Sequence, residues 1–156
     1  MDQEKFHEIE KIKTQDSKGG CVLCPRQCHA LRGEGRAGVC HGTEQVRVAR
    51  AALHMWEEPC ISGDSGSGTV FFTGCALGCV YCQNRPIASG EVGKEVSVER
   101  LAEIFLELQH KGAKNINLVT AGHFVPQIVQ SLSLAKQRGM HLTVVYNSSG
   151  YEKRET

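Results

Sequence analysis

No excess of either charge sign marks this chain of 156 residues: 18 basic and 17 acidic side chains leave a formal charge of +1 at neutral pH. That balance lacks the basic field by which nucleic acids and anionic membranes are recruited, so neither is expected as a partner. Long apolar runs are missing as well. The most apolar stretch, residues 69–82, is too short to span a bilayer and is interrupted by glycine and cysteine. The opening residues, Met1-Asp2-Gln3-Glu4-Lys5, are acidic and polar and form no secretory signal. The eight cysteines are therefore expected to stay reduced in a cytoplasmic protein rather than to pair as disulfides.

What is present falls into three parts. Phe6, Ile9 and Ile12 are spaced for a short amphipathic helix, followed by a polar linker, so residues 1–20 read as helix and linker. Residues 21–66 open on a cysteine- and glycine-rich extension with few large apolar groups, which needs a metal or a cross-link to hold its shape. Residues 46–53 are compatible with an extended segment. The stretch Gly63-Asp-Ser-Gly-Ser-Gly68 lacks the Gly-Lys-Ser/Thr ending of a phosphate loop and precedes its strand, which excludes nucleotide triphosphate binding there.

Residues 67–156 alternate between strand and helix. Residues 70–73 are short, β-branched and aromatic, and glycines bound them, as expected of a buried strand. Ser97 is placed to cap a helix whose Val98, Leu101, Ala102, Phe105 and Leu108 share one face before Gly112 stops it. Residues 115–120 form a second strand, Pro126 opens a second helix ending near Gly139, and residues 141–146 form a third strand. This βαβαβ order predicts an α/β fold with three parallel strands joined by right-handed crossovers. Three strands leave an open edge, so the chain is expected to be a truncated piece of a larger sheet or barrel.

Cys75, Cys79 and Cys82 follow the first of these strands within eight residues, where binding loops sit in parallel α/β architectures. Four thiolates would close an iron-sulfur cubane; three leave one iron free for an outside ligand, and an open metal position is what chemistry requires. Asn84, just beyond Cys82, either helps hold this loop or its cofactor or simply forms a turn.

The spacing Cys-x3-Cys-x2-Cys, with aromatic Tyr81 before the last cysteine, resembles the signature of the radical S-adenosylmethionine (SAM) superfamily. Further segments extend the likeness across most of residues 21–151: Cys21-Val-Leu-Cys-Pro-Arg-Gln-Cys28, Gly35-Arg-Ala-Gly-Val-Cys40, Leu53-His-Met-Trp-Glu-Glu-Pro59, Asn115-Ile-Asn-Leu-Val-Thr120 and Tyr146-Asn-Ser-Ser-Gly-Tyr151. These look like the pyruvate formate-lyase activating enzyme-like branch, and the chain resembles its N-terminal half. The resemblance implies a partial (β/α) barrel of radical SAM type behind an N-terminal Cys-rich extension. It implies a 4Fe-4S cluster on Cys75, Cys79 and Cys82 that binds S-adenosylmethionine at its open iron and cleaves it reductively to a 5'-deoxyadenosyl radical. Such an oxidoreductase abstracts hydrogen from a protein substrate, a glycyl-radical enzyme, and takes its electron from a flavodoxin- or ferredoxin-type donor. Modification of another substrate, or an inactive metal-binding fragment, are the alternatives. Where the family commonly has a Gly-Gly-Glu-like segment, this chain has Thr120-Ala-Gly-His-Phe124, so Thr120 and His123 are the candidates for cofactor contact, with a helix-entry or packing role the equal alternative for His123. Ala76 and Gly78 also depart from the polar and basic loop residues common in relatives.

Cys21, Cys24, Cys28 and Cys40 form a second set of four thiols, which suits tetrahedral zinc or a second iron-sulfur cluster, with His29 and His41 adjacent as substitute ligands or solvated neighbours. Cys60 stands alone and is expected to be a packed thiol. Glu57 and Glu58, being adjacent, would point to opposite faces of an extended segment and form no acid/base pair. His54 and Trp56 are expected to pack rather than to line an opening for substrate.

Overall fold

A computed structural model describes residues 14–154; the helix expected over Phe6, Ile9 and Ile12 lies outside the described residues. Five strands, β1 (Val46–His54), β2 (Ser67–Phe72), β3 (Lys94–Val96), β4 (Ile116–Val119) and β5 (Val144–Asn147), form one sheet in the order β3-β1-β2-β4-β5. Four helices accompany them: α1 (Pro59–Ser62), α2 (Arg85–Ala88), α3 (Val98–His110) and α4 (Val125–Gln137). Short 3-10 turns occupy Arg32–Glu34 and Gly122–Phe124.

The expected βαβαβ run is present as β2-α3-β4-α4-β5, with β2, β4 and β5 parallel and in register from Gly68↔Ile116 to Val119↔Asn147. The sheet is nevertheless larger than the three strands expected from sequence. β1 pairs antiparallel with the far edge of β2, and β3 pairs antiparallel with β1. The third parallel strand also starts later than residue 141. Val144 is the first residue in the ladder, while Thr143 is held only through its carbonyl by the N–H of Ile116.

The core lies between the sheet and the pair α3 and α4. Val70 and Phe72 from β2 and Ile116 and Leu118 from β4 alternate onto that face, as period-two geometry requires, and meet Leu101, Phe105 and Leu108 of α3 and Ile128 of α4. Each such buried side chain contributes about 1.5–3 kcal/mol from burial. Ser97 caps α3, its Oγ accepting from the N–H of Arg100 at 3.1 Å. The opposite face of β2 and β4 is polar: Ser67 Oγ donates to Asn115 Oδ1 at 2.7 Å, and Asn117 Nδ2 donates to Glu57 Oε1 at 3.3 Å. This architecture is a mixed α/β fold whose parallel half has the form expected of a partial (β/α) barrel, preceded by the Cys-rich segment. Among the described residues no helix is long and apolar enough to cross a membrane.

Candidate functional site

The C-terminal ends of the three parallel strands deliver three loops to one side of the sheet. The first carries Cys75, Cys79 and Cys82, all half-buried and unpaired. Its entrance is fixed by backbone contacts: Thr73 N–H donates to Arg47, Gly74 N–H to Ile87, and Cys75 N–H to Cys40, at 2.8–3.0 Å. Gly74 has φ +95°, and a Cβ there would stand 2.1 Å from the Cys40 carbonyl oxygen, so only glycine lets the two segments touch. Cys82 N–H turns back onto the Cys79 carbonyl, and the loop runs into α2. Arg26 Nε reaches across from the N-terminal segment to the carbonyl of Ala76 at 2.7 Å.

The second loop contains Thr120, whose φ of +58° is uncommon for a β-branched residue, with its N–H bound to the Asn147 carbonyl. The third contains Glu152. One of its carboxylate oxygens accepts from both Tyr146 and Ser148 hydroxyls at 2.8 Å, while burial and this carboxylate push the Tyr146 phenol above its usual range. Cys75 and Thr120 line one narrow cleft with Cys24, His123, Tyr151 and Glu152. Cys79 opens instead onto a recess beside His41 and Arg85.

The other candidates fall in different places. Tyr81 is 86% exposed at the loop tip beside the equally exposed Val80. Asn84 precedes α2 and its carbonyl accepts from Ile87 and Ala88, while its side chain makes no capping bond. His123 is only 5% exposed; its Nε2 donates to the Thr73 carbonyl at 2.8 Å, and burial lowers its pKa to about 4. A neutral imidazole thus ties the end of β4 to the start of the cysteine loop. Cys60 is exposed rather than packed, because it lies on the solvent side of the single turn α1. Trp56, at 89% exposure, does not pack either. Glu57 forms no pair with Glu58, but the structure shows what spacing along the chain could not: it meets Asn117 on the polar face of the sheet.

The four N-terminal cysteines border one small apolar cavity, closed on its far side by Ala76 and His123. Cys21 and Cys40 are buried and Cys24 and Cys28 half-buried. Burial raises the Cys40 thiol pKa. At Cys28 the same burial is outweighed by backbone N–H groups and by Arg32, which lower it. Among the described residues, no group of three or more His, Cys, Asp or Glu side chains stands at separations that could hold a metal ion, in either cysteine set. The donor chemistry does fit a thiophilic centre in each, since every thiol is free. His29 is taken up by Asp16, 2.6 Å from its Nδ1. A cavity of about 370 Å³ lies beside Cys21, between the N-terminal segment and the starts of α3 and α4, and no other thiol lines it.

Comparison with known proteins agrees with this arrangement. Residues 69–155 match the Radical SAM superfamily. An uncharacterized protein of Methanocaldococcus jannaschii, MJ0674, is 29% identical over 140 residues, covering 84% of this chain. The chain spans 39% of the length of that relative. No solved structure matches the chain significantly. With more than half its length matched, and with the cysteine loop beyond the first parallel strand, the chain belongs to the Radical SAM superfamily.

Proposed function

We propose that this chain is the cluster-bearing part of a radical SAM enzyme, with Cys75, Cys79 and Cys82 as ligands of a 4Fe-4S cluster. The observation that carries the reading is the position of these thiols, free and half-buried, on the loop leaving β2 beside the ends of β4 and β5. When bound and reduced, the cluster supplies the electron that cleaves S-adenosylmethionine to a 5'-deoxyadenosyl radical. The chain supplies position. Gly74 and His123 fix the root of the loop, and Thr120, Tyr151 and Glu152 form the facing wall of the cleft that Cys75 enters. A hydroxyl, a phenol and a carboxylate there can meet the amine and ribose of the cofactor. Tyr81 and Asn84 belong to the same loop and help shape it.

The likeness to pyruvate formate-lyase activating enzymes supports a finer reading: hydrogen abstraction from a glycine of a partner protein in the cytoplasm, with a flavodoxin- or ferredoxin-type donor. The test is anaerobic reconstitution with iron and sulfide, reduction, and chromatography for 5'-deoxyadenosine from S-adenosylmethionine. Release of 5'-deoxyadenosine by the intact chain and none by Cys79→Ala is expected. No release from a chain carrying a reduced cluster overturns the reading. A glycyl-radical signal on a partner enzyme tests the finer step.

A further inference from the structure

We infer that Cys21, Cys24, Cys28 and Cys40 form a separate tetrathiolate metal site, with Arg32 as its buried counter-ion, built against the root of the 75–82 loop. The site does not depend on the function proposed for Cys75, Cys79 and Cys82.

Three observations converge on it. The first is a repeated local geometry. Cys28-His29-Ala30 and Cys40-His41-Gly42 each place a histidine in the left-handed region, at φ +53° and +61°, and in each the N–H two residues on points to the cysteine sulfur. Non-glycine residues adopt this backbone at a cost and seldom without a reason. Here the result is a sulfur held in place by backbone N–H groups. Cys28 accepts a further bond from Val39 N–H. A Cβ placed on Gly38 would lie 3.3 Å from Cys28 Sγ and 3.5 Å from Cys40 Sγ, so both sulfurs flank one space that glycine leaves open.

The second is an uncompensated charge. Arg32 is 9% exposed and lies under the ring of Phe124, 5.5 Å from its centroid. Its guanidinium donates to the carbonyls of Thr43 and His123, and Nη1 approaches Cys21 Sγ at 3.8 Å. No carboxylate among the described residues pairs with it. Carbonyls satisfy its hydrogen bonds but bring no negative charge, and a buried cation requires one. Four thiols that lose their protons to solvent on binding a divalent cation give a doubly negative centre, and Arg32 offsets part of that charge.

The third is convergence on one cavity. All four cysteines and Arg32 line it, although the residues span 20 positions of sequence, from Cys21 to Cys40. The sulfurs are not at ligating separation, so binding must draw them together. The same chemistry accepts zinc or an iron-sulfur cluster, and both are covered by the test.

The experiment uses the full chain with Cys75, Cys79 and Cys82 replaced by alanine, checked for folding by circular dichroism. Anaerobic titration with Co2+ is expected to give thiolate-to-cobalt charge-transfer bands that saturate at one equivalent and are displaced by Zn2+. If these bands fail to appear but iron and sulfide give a cluster spectrum, the site stands as an iron-sulfur site. Cys28→Ala and Cys40→Ala, added singly, should abolish either signal. Arg32→Gln should weaken metal affinity about ten- to hundredfold, with Arg32→Lys recovering the larger part. A folded triple variant that takes up neither metal, or that forms a disulfide among these cysteines instead, overturns the site; unchanged affinity in Arg32→Gln overturns the counter-ion. Should the triple variant not fold, metal analysis of the reconstituted intact chain decides. Metal beyond a single four-iron cluster is expected, and a single such cluster with nothing further refutes the proposal.

Discussion

The backbone N–H of Cys75 donates to the carbonyl oxygen of Cys40 across 3.0 Å, joining the first thiol of one motif to the last thiol of the other. The contact exists because Gly74 offers no side chain at the point of closest approach. Two cysteine clusters that look independent along the chain therefore share a backbone junction.

Gly74→Ala should break that junction. The new Cβ meets a carbonyl oxygen, and the backbone must hold φ +95°, a conformation alanine rarely adopts. A loss of about 2 kcal/mol or more in urea denaturation is expected, together with lower iron content after reconstitution. An unchanged urea midpoint would count against the close approach.

His123 makes stability depend on pH. Its folded pKa is about 4 against an ordinary 6.5, so between those values the unfolded chain binds a proton that the folded chain does not. Stability contributed by this residue is full above pH 6.5 and is lost as pH falls towards 4, by roughly 3 kcal/mol over the window. His123→Gln keeps a donor for the Thr73 carbonyl and should flatten this part of the profile in denaturant titrations of the metal-free chain. An identical slope in both proteins would refute the assignment.

Glu152 holds the loop after β5 through the hydroxyls of Tyr146 and Ser148 and borders the cleft of Cys75. Glu152→Ala should leave the absorbance of the reconstituted cluster intact and weaken S-adenosylmethionine binding about tenfold in calorimetry, the effect of losing a charged hydrogen-bonding partner. Equal affinity would remove Glu152 from the cofactor wall.

Ser97→Ala tests the scaffold alone. Loss of the bond to Arg100 N–H should cost about 1 kcal/mol of stability without changing iron content, since Ser97 acts only on the end of α3.

The parallel half of the fold was legible in the sequence because it rests on local signals. Val70 and Phe72 alternate onto the core, and Leu101, Ala102, Phe105 and Leu108 recur at helical spacing between a serine cap and a glycine stop. Of the antiparallel half, residues 46–53 read as an extended segment and form β1, but its pairing and the strand β3 were not legible. Lys94-Glu-Val96 has two exposed residues of three and becomes a strand only because Val46, Arg47 and Val48 offer it a ladder 50, 48 and 46 positions away, at Val96, Glu95 and Lys94. At the site, the thiols could be named from their spacing. The Cys40 to Cys75 bond, the burial of Arg32 and the meeting of Glu57 with Asn117 depend on contacts between distant segments, which periodicity does not encode. His123 reads from sequence equally as a cofactor contact or as a helix-entry or packing residue; the structure buries it in the turn before α4, with its ring nitrogen on the Thr73 carbonyl.

The measurement that tests the central claim most directly is electron paramagnetic resonance of the anaerobically reconstituted, reduced chain, recorded with and without S-adenosylmethionine. An open iron on Cys75, Cys79 and Cys82 predicts a 4Fe-4S signal that changes when the cofactor is added and disappears in the Cys79→Ala protein. A reduced cluster signal that stays the same with S-adenosylmethionine present would contradict the account.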